Sequence, residues 1–299
     1  MDADRRLPQG DEIFLDHVGH FVRNPEAAAK ALARAGFAPT PVSVQVDASG
    51  QKTGTGNITA MLDRGYIEVL FKTADTEIGR DFDASLMLYN GVHLAAFSVA
   101  DAEKAHARLA AAGFKMRPLA NFSRPVETDR GPGEAAFAVV RVERGEMPEG
   151  RIQILQHRTE ETVWQRRWLD HPNGALALID LVIAVPNEVE ATVRFSKFTG
   201  CAIGSNRFGS EVAVDRGRVE LMTGQVFGAL LREVRTPGLP FQGAYGILVR
   251  SLEATEATLR AGKLASRRLG RALVANFPDE LGVGAWLFVE RAADLPWRS

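Results

Sequence analysis

Short apolar runs alternate along the chain with amphipathic segments, and the alternation has a repeating unit. "LDHVGHFV" is an apolar run of strand length. It is followed by Asn24-Pro25, then "EAAAKALARAGF", whose apolar positions recur at helical spacing. Asn24 suits the helix cap, Pro25 its first turn and Gly36 its end. The pattern returns as "VHLAAFSVA", Asp101 and "AEKAHARLAAAGF", then as "LIDLVIAV", Pro186-Asn187 and "EVEATVRFSKFTG". It returns once more as "YGILVRS" and "LEATEATLRAGK". Further strand-like runs follow each helix: "PVSVQV", "GNITAML" and "YIEVLF" in the first copy, "EAAFAVVRV" and "RIQILQ" in the second. The third copy has "EVAVDRG" and "RVELMT" as a hairpin signal, and the fourth has "AWLFVE". The predicted unit is βαβββ, four times over and unevenly spaced. "QHRTEETVWQRRWLDHPNGA" interrupts the rhythm, and its Pro172-Asn173-Gly174 is a turn signal. It is read as residues 158–174 connecting two halves, 12–157 and 175–291. Trp164 and Trp168 are expected to pack against a surface of the protein.

Period-two alternation sorts the strand faces. In "RGYIEVLF", Ile67, Val69 and Phe71 form a wholly apolar face that should lie against helices. Tyr66, Glu68 and Leu70 then face the other way. In "GRIQILQH", Ile152 and Ile154 take the helix side, leaving Arg151, Gln153, Leu155 and His157 opposite. In "RVELMT" the same reasoning turns Arg218 and Glu220 away from the helices. His17 and His20, three apart, point to opposite sides unless a bulge intervenes, which Gly19 would permit. Alternation by itself leaves open which of the two faces the cavity.

Paired βαβββ units opening with "LDHV" and closing with "GYIEVL" resemble the vicinal oxygen chelate superfamily. "GTGNITAMLDRGYIEVL", "GVHLAAF" and "EGRIQILQH" followed by "HPNGA" resemble its glyoxalase-like branch with four units, over about residues 12 to 291. The resemblance implies an α+β fold: two curved mixed-sheet domains of the glyoxalase/dihydroxybiphenyl dioxygenase type, each with a concave cavity. It further implies a divalent metal that polarises adjacent oxygens of a substrate. Carried over, the family's ligand positions fall on His17, Leu94, Glu68 and Gln153, which leaves His20 on the helix side as a buried, hydrogen-bonded histidine. Leu94 cannot bind a metal, and Gln153 supplies a carbonyl without charge. His17, Glu68 and Gln153 therefore remain as ligands for one loosely held divalent ion (Zn, Mn, Fe or Mg), and no other cofactor is expected. The second half offers Asp180, Glu220, Gly246 and Leu287 or Phe288, a poorer set, and is read as degenerate.

Composition narrows the classes. Hydrophobic content of 45%, charged content of 24% and a net charge of -1 over 299 residues give no reason to expect nucleic acid or a membrane surface as partner. The single cysteine, Cys201, excludes an intrachain disulfide framework. The opening "MDADRRLPQGDEIF" lacks the apolar segment of a signal peptide, so a cytoplasmic monomer or homodimer with a small-molecule ligand is the default expectation. "GTGNITA" does not sit between a strand and a helix as a dinucleotide fingerprint must, and it reads as a mobile loop over the cavity mouth. The favoured function is proton transfer next to a carbonyl, of lyase or isomerase type, with Glu68 and His17 as the acid–base pair. Asn57, Tyr66, His93, Arg151, Gln153 and His157 are the candidates for touching substrate. A non-catalytic protein that sequesters an aromatic or drug-like ligand is the alternative.

Overall fold

A computed structural model describes residues 5–298. The first unit runs β1 (Ile13–Phe21), α1 (Pro25–Arg34), β2 (Ser43–Asp47), β3 (Lys52–Met61) and β4 (Tyr66–Lys72). Helix α2 (Glu77–Leu88) follows. The second unit is β5 (Gly91–Val99), α3 (Ala102–Ala111), β6 (Ala120–Thr128), β7 (Gly131–Arg141) and β8 (Arg151–His157). After the short α4 (Glu160–Val163) comes the third: β9 (Ala175–Val185), α5 (Glu188–Thr199), β10 (Ile203–Asn206), β11 (Gly209–Ala213) and β12 (Arg218–Thr223). Helix α6 (Gly224–Leu230) leads to β13 (Phe241–Val249), α7 (Leu252–Ala261), β14 (Arg267–Leu269), β15 (Ala272–Asn276) and β16 (Ala285–Val289). Asn24, Asp101, Asn187 and Ser251 each cap a unit's helix, their side chains accepting from a backbone N–H three residues on.

In every unit the first strand pairs in parallel with the last: β1 with β4, β5 with β8, β9 with β12, β13 with β16. A parallel pair needs a crossover, and the helix supplies it. That places each helix on one face of its strands and frees the other face. The first eight strands run β1-β4-β3-β2-β6-β7-β8-β5, and β5 pairs back onto β1, so they close on themselves. The last eight run β14-β15-β16-β13-β9-β12-β11-β10 and stay open. The two sets are joined by the strand pair Val92 with Gln242 and by isolated bridges of Phe14 with Arg216, Arg64 with Ala177 and Gly91 with Val283. This is the mixed α+β fold with curved sheets that the repeat pattern predicts. The helix-side core, with Val18, Ile67, Val69, Phe97, Ile152 and Ile154, continues from one half into the other.

The segment Gly54–Ala60 is not a loop. It lies within β3, paired residue for residue with β4. The glycines mislead because one of them makes room for a ring: a Cβ on Gly56 would sit 2.7 Å from the Phe71 side chain. Trp164 is buried and donates to the Leu62 carbonyl at 3.0 Å, closing the connecting segment onto the first half.

Candidate functional site

The register across β1 and β4 sets His17 opposite Tyr66 and Gly19 opposite Glu68, so all four lie on the concave face. The β1–β5 register slips between Leu15 and His17, and again between Gly19 and His20. The first slip turns Asp16, which strict alternation assigns to the helix side, toward its neighbour. Asp16 is wholly buried, and His17 Nδ1 donates to its Oδ1 at 2.7 Å. His157 Nε2, from the end of β8, donates to Asp16 Oδ2 at 3.0 Å. Burial by itself pushes the Asp16 carboxyl up. The charge and hydrogen bonds of His157 and His17 outweigh it and hold the carboxyl far below the usual carboxylate range. As a permanent acceptor, Asp16 fixes the proton of His17 on Nδ1, leaving Nε2 for the cavity.

His17 Nε2 lies 3.5 Å from Glu68 Oε2. Asn57 Nδ2 donates to Glu68 Oε1 at 2.6 Å, while Asn57 Oδ1 is buried with no hydrogen-bond partner. The Tyr66 ring stacks on His17 with centroids 4.3 Å apart. Hydrogen bonds therefore join His157 to Asp16 and Asp16 to His17, and Asn57 to Glu68. Between the two sets, the His17 imidazole and the Glu68 carboxylate face each other at 3.5 Å inside the cavity.

Above the pair opens a cavity of about 380 Å³. Leu70, Leu94, Phe137, Val139 and Leu155 supply its apolar walls, and Ile78, Ala84 and Leu88 of α2 flank it. Gln153 and Arg151 line it from β8, Arg141 from β7 and Arg124 from β6. Burial lowers the Arg124 and Arg141 guanidinium pKa values, and it brings Arg151 to about 10, with repulsion from Arg141 adding and attraction to Glu68 opposing.

Two histidines of the sequence reading lie elsewhere. His93 stacks on Tyr89, donates from Nε2 to the Tyr89 carbonyl at 2.8 Å, and does not line the cavity. Burial lowers its pKa to about 4. It is one residue from Leu94, and alternation sends it to the opposite face. His157 is also absent from the cavity wall, because its Nε2 is taken by Asp16. Its place is behind His17, where it orients the carboxylate. His20 is a core residue as expected: its Nδ1 donates to the Leu281 carbonyl at 2.9 Å, and its Nε2 accepts from the Tyr245 hydroxyl at 2.8 Å.

A divalent ion does not fit these residues. Among the described residues no three His, Cys, Asp or Glu side chains group as ligands. Glu68 Oε1 is occupied by Asn57, Leu94 presents hydrocarbon, and Gln153 stands across from the cationic Arg141 in the β7–β8 register. Hard cations need anionic oxygen, and this wall is positive instead.

In the second half, Asp180 pairs across strands with Arg218 as His17 does with Tyr66, so Asp180 and Glu220 are the positional counterparts of His17 and Glu68. The C-terminal segment closes onto Asp180. Trp297 Nε1 donates to Asp180 Oδ2 at 2.6 Å, and Arg298 forms an ion pair with the same carboxylate. Leu295 and Trp297 join Phe227 and Leu230 of α6 in an apolar cluster on this face.

Closed and open sheets of βαβββ units around a cavity define the vicinal oxygen chelate class of proteins. A family model of the glyoxalase-like domain matches residues 15–199, more than half of the chain, and the chain belongs to that family. The fold is also that of a hypothetical protein from Staphylococcus aureus, at TM-score 0.65 and 11% identity over 92% of this chain and 98% of that one. A mutant of 4-hydroxymandelate synthase from Streptomyces coelicolor aligns at TM-score 0.59 and 12% identity, over 93% and 92%. The Mn(II)-bound glyoxalase from Novosphingobium aromaticivorans aligns at 0.54 and 15%, over 95% and 84%. Comparison with curated proteins gives no match.

Proposed function

We propose that this protein is an enzyme of the glyoxalase-like type that moves a proton next to a carbonyl, as a lyase or isomerase does, with residues 12–157 as its working domain. The observation that carries this reading is the buried Asp16–His17 pair aimed at Glu68 inside the cavity. Glu68 carboxylate removes the proton from the carbon beside the carbonyl. The C–H electron pair moves into the carbonyl as an enolate oxygen. His17, protonated on both nitrogens and steadied by Asp16, donates its Nε2–H to that oxygen. Asn57 holds Glu68 in place, and its free Oδ1 accepts from a substrate hydroxyl. Positioned acid–base groups of this kind are worth about 10²–10⁴-fold in rate. No step is assigned to a metal, because the donor set does not fit one.

The test follows loss of the α-proton signal from a panel of small 2-oxo and 2-hydroxy acids in D₂O by NMR. Protein-dependent exchange is expected, falling about 10²-fold or more in Glu68→Gln and in His17→Asn. The apolar walls favour a second reading, a protein that sequesters its ligand unchanged. Saturable binding of panel members with no exchange and no product would sink the enzyme in favour of that reading.

A further inference from the structure

Among the described residues, the cavity carries cations that no carboxylate pairs with directly. Arg117 and Arg144 on its wall are paired: Arg117 with Glu77 at 2.8 Å and Glu143 at 3.5 Å, Arg144 with Asp81. Among the described residues, the guanidiniums of Arg124, Arg141 and Arg151 make no hydrogen bond or ion pair, and Arg141 Nε is buried without a partner. Glu68 is the carboxylate whose charge acts on Arg124 and Arg151, and its own oxygens already face Asn57 and His17; those acting on Arg141, Glu77 and Glu143, are ion-paired with Arg117.

Their convergence follows from the sheet. Arg141 pairs across strands with Gln153, and Arg151 lies two residues from Gln153 on the same face. Arg124 pairs with Ala135, which shares the Phe137, Val139 and Arg141 face of β7. Aromatic rings support two of the three: Arg141 lies 5.3 Å from the Phe122 ring centroid and Arg151 5.0 Å from that of Phe21. Stacking on the face of a guanidinium leaves its N–H edge free, and that edge matches a carboxylate or phosphate bidentately. Bringing like charges together in a half-buried space costs stability, so the arrangement has no structural benefit.

The geometry points to an anionic substrate, a small molecule whose carboxylate or phosphate groups lie on Arg124, Arg141 and Arg151 while its carbonyl carbon faces Glu68 and His17. The assignment of the reacting end rests on the proton-transfer reading above; the anion site itself does not. The ligand carries two negative charges, and its short carbon skeleton lies along Leu70, Leu94 and Phe137.

Calorimetric titration and thermal melts of the full chain test this with two probes, malonate for a dicarboxylate and inorganic phosphate for a phosphoryl group. Sodium chloride at matched ionic strength is the control. At least one probe should bind saturably and raise Tm beyond chloride, and the stronger of the two identifies the anionic group. Arg151→Gln and Arg124→Gln should each weaken that binding at least tenfold, and Glu68→Gln should keep or tighten it. In the absence of probe, the arginine variants should melt at the same temperature as the unmodified protein or above it, because a repulsion has been removed. If Arg124→Gln does not fold, Arg151→Gln and Arg141→Gln carry the comparison. Stabilisation no greater than that by chloride, or binding indifferent to these arginines, overturns the anion site. Proton exchange lost in Glu68→Gln while anion binding persists would show the two proposals standing separately, and loss of the first alone would leave the second intact.

Discussion

At the scale of single residues, Asp16 decides what His17 is. A carboxylate on Nδ1 fixes the tautomer and supports an imidazolium, so Asp16→Asn should lower proton exchange by about 10²-fold or more while His17 and Glu68 remain in place. The same substitution should cost about 3 kcal/mol in chemical denaturation at neutral pH, since it removes the buried charge that two imidazoles share and sets a donor amide against one of them. The sign of its pH dependence follows from the depressed carboxyl: the stabilisation is present above the ordinary Asp range near 3.8 and fades as pH falls below it. Asp16→Asn should therefore converge with the unmodified protein in strong acid. Glu220 behaves in the opposite sense. Burial first, then the neighbouring Asp180, push its carboxyl up to about 8 from 4.5. The folded protein then retains a proton that the unfolded chain has released, so the penalty is absent below about pH 4.5 and grows as pH rises to about 8. Glu220→Gln should flatten stability between those limits, a difference of a few kcal/mol read from urea melts at pH 5 and pH 8. An unchanged slope would place the pH dependence elsewhere.

Among the elements, two helices in equivalent positions do different work. Helix α2 follows β4 and flanks an open cavity, whereas α6 follows β12 and, with Leu295 and Trp297, fills the matching space. Trp297→Ala should cost roughly 3–5 kcal/mol in thermal or urea melts, as removal of a buried aromatic does, with proton exchange unaffected. Loss of exchange alongside a small stability change would contradict the assignment of this half as filled. The repeated strand–helix–glycine unit, its caps and its crossovers were legible in the sequence, because helical and strand periodicities are local and Asn24, Asp101 and Asn187 act on their own helices. Helix α2 was not, since its "EIGRDFDASLML" lies between two repeats, outside the repeating unit, although Thr76 caps it by accepting from the Gly79 N–H. The start of β3 is legible only as a loop because of its glycines, whose close neighbours are Thr76 at Gly54 and the Phe71 ring at Gly56.

For the whole molecule, the donor set predicts indifference to chelators. Dialysis against EDTA should leave Tm unchanged within error, because an ion that is not held adds nothing by mass action. Leu94 and Gln153 both line the cavity, so Leu94→His combined with Gln153→Glu should raise zinc affinity at least tenfold by titration. A stoichiometric ion in the unmodified protein would overturn this account, as would a double variant that gains nothing. Among the described residues no helix is long and apolar enough to cross a membrane.

With the family resemblance choosing His17 rather than His20 for the cavity beside Glu68, the sequence by itself determined the α+β class, the four units, the strand faces and the turning of the two histidines to opposite sides. These depend on periodicity along one strand at a time, which a linear reading contains. Only the tertiary structure decided the rest. A register slip beside Leu15 brings Asp16 to His17, and the far end of β8 brings His157 to Asp16. Strands β6, β7 and β8 bring Arg124, Arg141 and Arg151 to one wall, while a C-terminal segment closes the second half. Each of these depends on bulges and on contacts between residues distant in sequence, where alternation along a strand carries no information.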